Sequence, residues 1–226
     1  MTRSQRLTRL RAARLYFVCE GLPGGAPPEE LLDAALSGGT DLIQLREKAP
    51  RCAEELVALA APFRRAAAEH RGLFILNDEP GLVSECGADG VHVGQADTPV
   101  AEARAQTGPE ALVGLSTHSP EQIDAACEAR GDARPDQISV GPVWETPTKQ
   151  GRAAAGLELL RYAAAKATIP WFAIGGIDLL NIDEVVSAGA RRAVVVRAIR
   201  DAGDPMHVAR SLSDALGAGV GASADG

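Results

Sequence analysis

The sequence predicts an α/β fold of one domain, a closed (β/α)8 TIM barrel. Short β-branched runs alternate with Ala/Leu/Glu-rich stretches eight times along the chain. Strand–helix alternation of this kind implies a parallel sheet with right-handed crossovers. No long linker interrupts the units, and 226 residues lie near the roughly 250 usual for such a barrel. Prolines mark the first turns of five expected helices, at Pro28, Pro80, Pro99, Pro120 and Pro205. The missing proline N–H has no helical partner at that position in any case. No Gly-x-Gly-x-x-Gly stretch follows a strand and opens a helix, so a dinucleotide fold is not supported.

The elements follow in order. Leu-Tyr-Phe-Val-Cys at 15–19 reads as a strand, and 28–37 as a helix. Residues 42–46 form the second strand and 52–70 a long helix. The third pair is 73–77 and a short helix over 80–85; the fourth is 90–93 and 99–107. Then come 112–116 with 120–128, and 137–140 with 156–165. The last two pairs are 171–174 with 181–188, and 193–196 with 205–216. Ahead of them, 1–14 holds five arginines and reads as an exposed basic extension. Its apolar continuation is too short for a signal-peptide core of about 7–15 residues. The barrel domain spans 15–216, and the Gly/Ala-rich 217–226 is expected to be a disordered tail.

Composition excludes several function classes. The chain is 46% hydrophobic and 23% charged, as a globular protein is. Aromatics at 4% leave no stacking platform for single-stranded nucleic acid. Thirty acidic against 23 basic residues give a net charge of −7, which argues against a nucleic-acid partner. A local basic pocket for a small phosphorylated substrate remains compatible with it. No apolar run approaches the roughly 18 residues of a membrane span. Cys19, Cys52, Cys86 and Cys127 are far apart with no CxxC. Neither a zinc site nor a disulfide framework is indicated, and buried thiols in a reducing cytoplasm are expected.

In a barrel, chemistry belongs at the strand C-termini, and the polar residues fall there. Gln44, Arg46 and Lys48 share one period-two face, with Leu45 turned toward a helix. Two cations beside an amide suit an anion; the plainer reading is a strand end salt-bridged by Glu47. Asn77-Asp78-Glu79 ends the third strand, and Gly94-Gln95-Ala96-Asp97 follows the fourth. Asp78 and Asp97 are oxygen ligands suited to Mg2+, which binds through one or two carboxylates plus substrate phosphates. The competing reading makes both of them helix caps. Ser116 ends the fifth strand as a hydrogen-bond donor; His118 reads as a supporting loop residue and His92 as a bonded core histidine. The proline-stiffened stretch from Gly141 to Lys149 reads as a ligand loop or a plain surface loop. Gly175-Gly176 and Val196-Arg197 end the last two strands, where such barrels often bind phosphate.

These motifs together resemble the thiamine phosphate synthase (thiamine-phosphate pyrophosphorylase) family, from about residue 15 to 199. They are Gln44-Leu45-Arg46-Glu47-Lys48, Asn77-Asp78, Gly87-Ala88-Asp89-Gly90-Val91-His92-Val93-Gly94-Gln95 with Asp97, and Gly114-Leu115-Ser116. Gly141-Pro142 with Thr146-x-Thr148-Lys149, and Ala173-Ile174-Gly175-Gly176-Ile177, complete the set. Each is weak alone; their order and spacing are specific. The resemblance implies a transferase of thiamine biosynthesis. It condenses 4-amino-2-methyl-5-(diphosphooxymethyl)pyrimidine with a thiazole phosphate, releasing diphosphate, through a pyrimidine-methyl cation and with one Mg2+ per subunit.

By motif, Gln44, Leu45, Arg46, Glu47, Lys48, Asn77, Ser116 and Lys149 would hold the pyrimidine diphosphate. Of these, Arg46, Lys48, Ser116 and Lys149 would be catalytic. Asp78 and Asp97 would bind the metal. Thr146, Pro147, Thr148, Gly176, Val196 and Arg197 would hold the thiazole phosphate. A homo-oligomer is left open. The sequence departs from the family at Glu79, Trp144-Glu145, Arg191-Arg192 and Arg197. The alternatives are a thiazole tautomerase-like paralogue, with His118 as acid–base group, and a non-enzymatic barrel that binds a phosphorylated ligand.

Overall fold

Alternating strand residues have opposite partners here, and that alternation builds the architecture. A computed structural model describes residues 1–47, 49, 51–145 and 154–218. Its strands are β1 (Leu15–Cys19), β2 (Leu42–Leu45), β3 (Leu73–Asn77), β4 (Gly90–Val93), β5 (Leu112–Thr117), β6 (Gln137–Val140), β7 (Trp171–Ile174) and β8 (Ala193–Val195). All pair in parallel in chain order, and Leu15 opposite Ala193 closes the barrel. The described helices are α1 (Arg3–Ala12), α2 (Glu29–Ser37), α3 (Ala53–His70), α4 (Val83–Cys86), α5 (Val100–Thr107), α6 (Pro120–Glu128), α7 (Gly156–Lys166), α8 (Ile182–Ser187), α9 (Arg197–Arg200) and α10 (Pro205–Ala218). None is long and apolar enough to cross a membrane.

Phe17, Ile43, Leu45, Phe74 and Leu76 point outward into a layer shared with Leu32, Phe63 and Leu160 of the helices. Their neighbours Tyr16, Leu42, Leu73, Leu112 and Phe172 fill the barrel interior. Tyr16 and Phe172 meet edge-on there, with ring centroids 5.6 Å apart. Pro120 and Pro205 each occupy the first position of a helix, while Pro28 and Pro99 stand one residue earlier at the N-cap.

Several expectations need correction. The basic extension is not an exposed tail but the helix α1, started by a reciprocal cap between Thr2 and Gln5. Leu10 is fully buried, and Leu7, Leu10 and Ala13 join the interior cluster, so α1 plugs the N-terminal mouth of the barrel. Its arginines have partners below the strands: Arg3 bonds Asp136 at 2.5 Å and Arg6 bonds Asp89 at 2.8 Å. Residues 80–85 are a 3-10 turn (Pro80–Leu82) followed by α4, because the proline and glycine tighten the first turn. β8 stops at Val195, and Val196 becomes the N-cap of the short helix α9. Gly217 and Ala218 lie in α10 rather than in a tail; 219–226 lie outside the described residues. Cys52 is exposed and Cys127 half-buried, while Cys19 and Cys86 are buried; all four are free.

The plug makes a stability prediction. Leu10→Ala opens a void at the barrel floor and is expected to cost about 2–5 kcal/mol. Arg11→Ala, on the exposed face of the same helix, is expected to change stability by less than about 0.5 kcal/mol. Guanidinium melts of the two variants check this, and equal midpoints would return α1 to the status of an appendage.

Candidate active site

Toward the C-terminal ends of the strands the inward positions turn from apolar to polar. There they enclose a cavity of about 450 Å³. Gln44 comes from β2, Asn77 from β3, His92 from β4, Ser116 from β5 and Ser139 from β6. The loops after β6 and β7 and the first turn of α9 form the rest of the rim.

Polar groups at this end of the barrel are bonded to one another or to backbone carbonyls. Gln44 donates from Nε2 to the Tyr16 hydroxyl at 2.5 Å. Burial holds the Tyr16 phenol well above its ordinary pKa, so it stays neutral. Gln95 donates to the Ser116 carbonyl at 2.7 Å. His118 bonds the Gly141 carbonyl through Nδ1 at 2.5 Å. A carbonyl only accepts, so the hydrogen of this contact sits on Nδ1. The ring thereby ties the start of the β6 loop to β5.

Asp78 and Asp97 stand together at the rim. Loss of water and the neighbouring Asp97 carboxylate push the Asp78 carboxyl up to about 6, although Asn77 donates to it and Arg46 attracts it. Asp78 also holds a left-handed backbone, φ 61°. Asp97 accepts from the Gly94 amide at 2.8 Å, closing its own loop. Neither aspartate caps a helix. The turn at Pro80 has Glu79 before it and α5 has Pro99, each without a side-chain cap bond. Among the described residues no cluster of three or more His, Cys, Asp or Glu could hold a metal. Two carboxylates alone would suit Mg2+, an ion that takes its remaining ligands from water and substrate phosphate.

The opposite rim is built from backbone. Val143 donates to the Ile174 carbonyl at 2.9 Å and Trp144 to the Gly175 carbonyl at 3.2 Å, which lays the β6 loop against the β7 loop. Gly175 and Gly176 have φ of 112° and 71°. Beside them, Val196, Arg197 and Ala198 begin α9 and line the same wall. A glycine loop after the seventh strand and a short extra helix after the eighth form the usual phosphate cradle of this architecture.

Gln44, Arg46, Asn77, Asp78, Asp97, Ser116, Gly176, Val196 and Arg197 thus converge on one cavity. Leu45 and Glu47 do not line it. Leu45 is buried against the helices, and Glu47 accepts from the Gly21 amide at 2.7 Å and pairs with Arg51 at 3.0 Å. Lys48, Thr146, Pro147, Thr148 and Lys149 lie outside the described residues. Arg192 of the Arg191-Arg192 departure sits far from the cavity, donating to the Arg11 carbonyl of α1 at 2.8 Å. Sequence reasoning missed Tyr16, Ser139 and Ile174 as lining residues. Each lies on a different strand from Gln44 and Ser116, so placing it on the cavity needs the register between strands as well as the period-two alternation within each.

Comparison with known proteins agrees with this geometry. The family described as thiamine monophosphate synthase matches residues 15–199. A thiamine-phosphate synthase of Arthrobacter sp. (strain FB24) is 50% identical, over 93% of this chain and 97% of its own. One from Acidothermus cellulolyticus is 47% identical, over 92% and 97%. The solved thiamine phosphate pyrophosphorylase from Pyrococcus furiosus superposes with a TM-score of 0.80 at 28% identity, covering 95% of this chain and all of that one. A 3-hexulose-6-phosphate synthase, at 20% identity and a TM-score of 0.65, shares the fold alone. With the motifs, the cavity and these relatives in agreement, the chain belongs to the thiamine monophosphate synthase family.

Proposed function

We propose that this chain joins 4-amino-2-methyl-5-(diphosphooxymethyl)pyrimidine to a thiazole phosphate, yielding thiamine phosphate and diphosphate. The observation that carries the reading is the single cavity in which the Asp78–Asp97 pair and Arg46 face the glycine loop and the start of α9. One end supplies carboxylates and a cation for a metal-bound diphosphate. The other supplies backbone N–H groups for a phosphate.

Asp78 and Asp97 would hold one Mg2+, which, when bound, offsets the negative charge that gathers on the departing diphosphate. Arg46, with Lys48 and Lys149, would stabilise the same charge. The aminopyrimidine delocalises the positive charge of its methyl cation, so no protein nucleophile is required. Gln44, held by Tyr16, would orient the pyrimidine, and Asn77 and Ser116 would fix the diphosphate ester. Gly176, Val196 and Arg197, with Thr146 to Thr148, would seat the thiazole phosphate.

Incubating the purified protein with both substrates and Mg2+ tests this. Stoichiometric thiamine phosphate and diphosphate, abolished by EDTA, are expected. Isomerised thiazole phosphate without diphosphate release would instead identify a tautomerase, and tight binding without turnover a ligand-binding barrel. The division of the cavity makes its own prediction. Gly176→Val blocks close backbone approach. It is expected to raise the KM for thiazole phosphate by about 10-fold or more, the worth of one or two lost hydrogen bonds. The KM for the pyrimidine should move far less; equal rises would count against two separate ends.

A further inference from the structure

We infer that a Gln137–His92 pair beneath Ser116 fixes the direction of its hydrogen bonds, so that the Ser116 hydroxyl acts as a donor toward the bound substrate. This rests on the proposed role of Ser116 as a substrate contact and deepens it. The substrate atom against Ser116 must be an acceptor, a ring nitrogen or an ester or diphosphate oxygen of the pyrimidine diphosphate. His92 is then a positioning residue for the reaction rather than a catalytic one.

The strand register creates the pair. His92 on β4, Gly114 on β5 and Gln137 on β6 lie at one level of the barrel. A Cβ on Gly114 would come 2.6 Å from His92 Nδ1 and 2.2 Å from Gln137 Nε2. Only a missing side chain lets the two meet across β5. They do so with Gln137 Nε2 3.0 Å from His92 Nδ1. An amide nitrogen donates and cannot accept, so Nδ1 is the acceptor. The neutral ring therefore carries its hydrogen on Nε2.

One level up, Ser116 stands opposite Ser139. His92 Nε2 is 3.0 Å from Ser116 Oγ and 3.4 Å from Ser139 Oγ. With its hydrogen on Nε2, the ring donates to Ser116, the nearer oxygen. Ser139 Oγ, at 3.5 Å, is a longer second donor to Ser116. Both acceptor positions of the Ser116 hydroxyl are thereby used, one from below by His92 and one from the side by Ser139, and its own hydrogen is left for the cavity that it lines. His92, Ser116, Gln137 and Ser139 are each less than a tenth exposed. Bulk water does not compete for these bonds, and the Gln137 Oε1 atom is itself buried without a hydrogen-bond partner.

Two measurements test the inference. In the 15N-labelled wild-type protein, the ring nitrogens of His92 are identified among the four histidines by the signals lost in His92→Gln. The expected pattern is a protonated Nε2 and a bare Nδ1. Hydrogen on Nδ1, or on both nitrogens, would overturn the inference. The second measurement compares His92→Gln with His92→Leu in the synthase assay. A glutamine amide at 92 can still donate to Ser116 while its oxygen accepts from Gln137; leucine can do neither. His92→Leu is expected to lose about 10-fold or more in kcat/KM, the worth of one buried hydrogen bond. His92→Gln is expected to recover most of that loss. Equal defects in two variants that melt like wild type would show that His92 does more than position Ser116. Wild-type activity in His92→Leu would show that it does not position it at all. If either variant fails to fold, the ring nitrogens decide alone. A wild-type protein that forms no thiamine phosphate would reject the proposed reaction, and with it the named substrate. The ring pattern would still report the direction of the Ser116 bond.

Discussion

Asp97→Ala is expected to lower turnover at saturating substrates by about 100-fold or more, the scale set by removing one group that stabilises transition-state charge. The Mg2+ concentration for half-maximal rate should rise with it. Asp78→Asn is the more informative partner. It keeps the shape of the side chain, and the amide can still meet Asn77 and Asp97. It removes one of two neighbouring carboxylates at the rim, where burial first and the Asp97 charge second push the Asp78 carboxyl up. In EDTA, Asp78→Asn should therefore melt at or above the wild-type temperature, while its turnover falls as far as that of Asp97→Ala. Addition of Mg2+ with the pyrimidine diphosphate should raise the melting temperature of wild type and leave the variant unmoved. A group kept for structure would show the opposite pattern, with lost stability and retained turnover. Wild-type turnover and Mg2+ dependence in both variants would falsify the metal assignment.

Much of this site is legible in the sequence because a strand has only two faces. Once Gln44 is placed inward, Arg46 must follow it and Leu45 must face the helices. The structure puts Gln44 and Arg46 on the cavity and Leu45 in the outer layer. Glu47 is harder to place, since it lies two residues past the strand, where period two lapses and a loop amide and Arg51 claim it. The missed helices have different causes. α1 carries five arginines within or beside it and few apolar residues, so its composition resembles a tail. Its start signal, Thr2-x-x-Gln5, is nevertheless present. What makes it a helix is the barrel floor, which buries Leu10 and supplies Asp89 and Asp136 to its arginines. α9 is four residues long and follows a β-branched run without a break, so propensity alone extends the strand.

The His92–Gln137 bond lies beyond sequence reading for another reason. Its partners are 45 residues apart, and their meeting depends on barrel closure and on one glycine between them. His92 reads correctly from the sequence as a bonded core histidine. Which group it bonds, and in which direction, follows only from the register of three strands.

Gly175→Ala is expected to cost about 2–5 kcal/mol, the sum of a strained left-handed residue and an overpacked contact. It should also weaken both substrates. The backbone at Gly175 has φ 112°, which L side chains rarely adopt. A Cβ there would lie 2.6 Å from both Cα and Cβ of Pro142 and 2.7 Å from the Val143 nitrogen. None of these is the far end of a flexible side chain, so the two loops must part. The bonds at stake are those from Val143 and Trp144 to the β7 loop. Pro142 and Val143 also accept from Ala155 and Gly156, at 2.8 and 3.1 Å. The chain on both sides of residues 146–153 is thus anchored at the point that alanine would displace. Gly24→Ala separates the two causes, because Gly24 has φ 63° but nothing within 4 Å of its missing Cβ. It should lose only about 1–2 kcal/mol from strain and keep wild-type KM values. Guanidinium melts give the stabilities, and steady-state kinetics with each substrate varied in turn give the binding effects. Gly175→Ala matching Gly24→Ala in both would mean that the β6 and β7 loops do not depend on their close approach to shape the cavity.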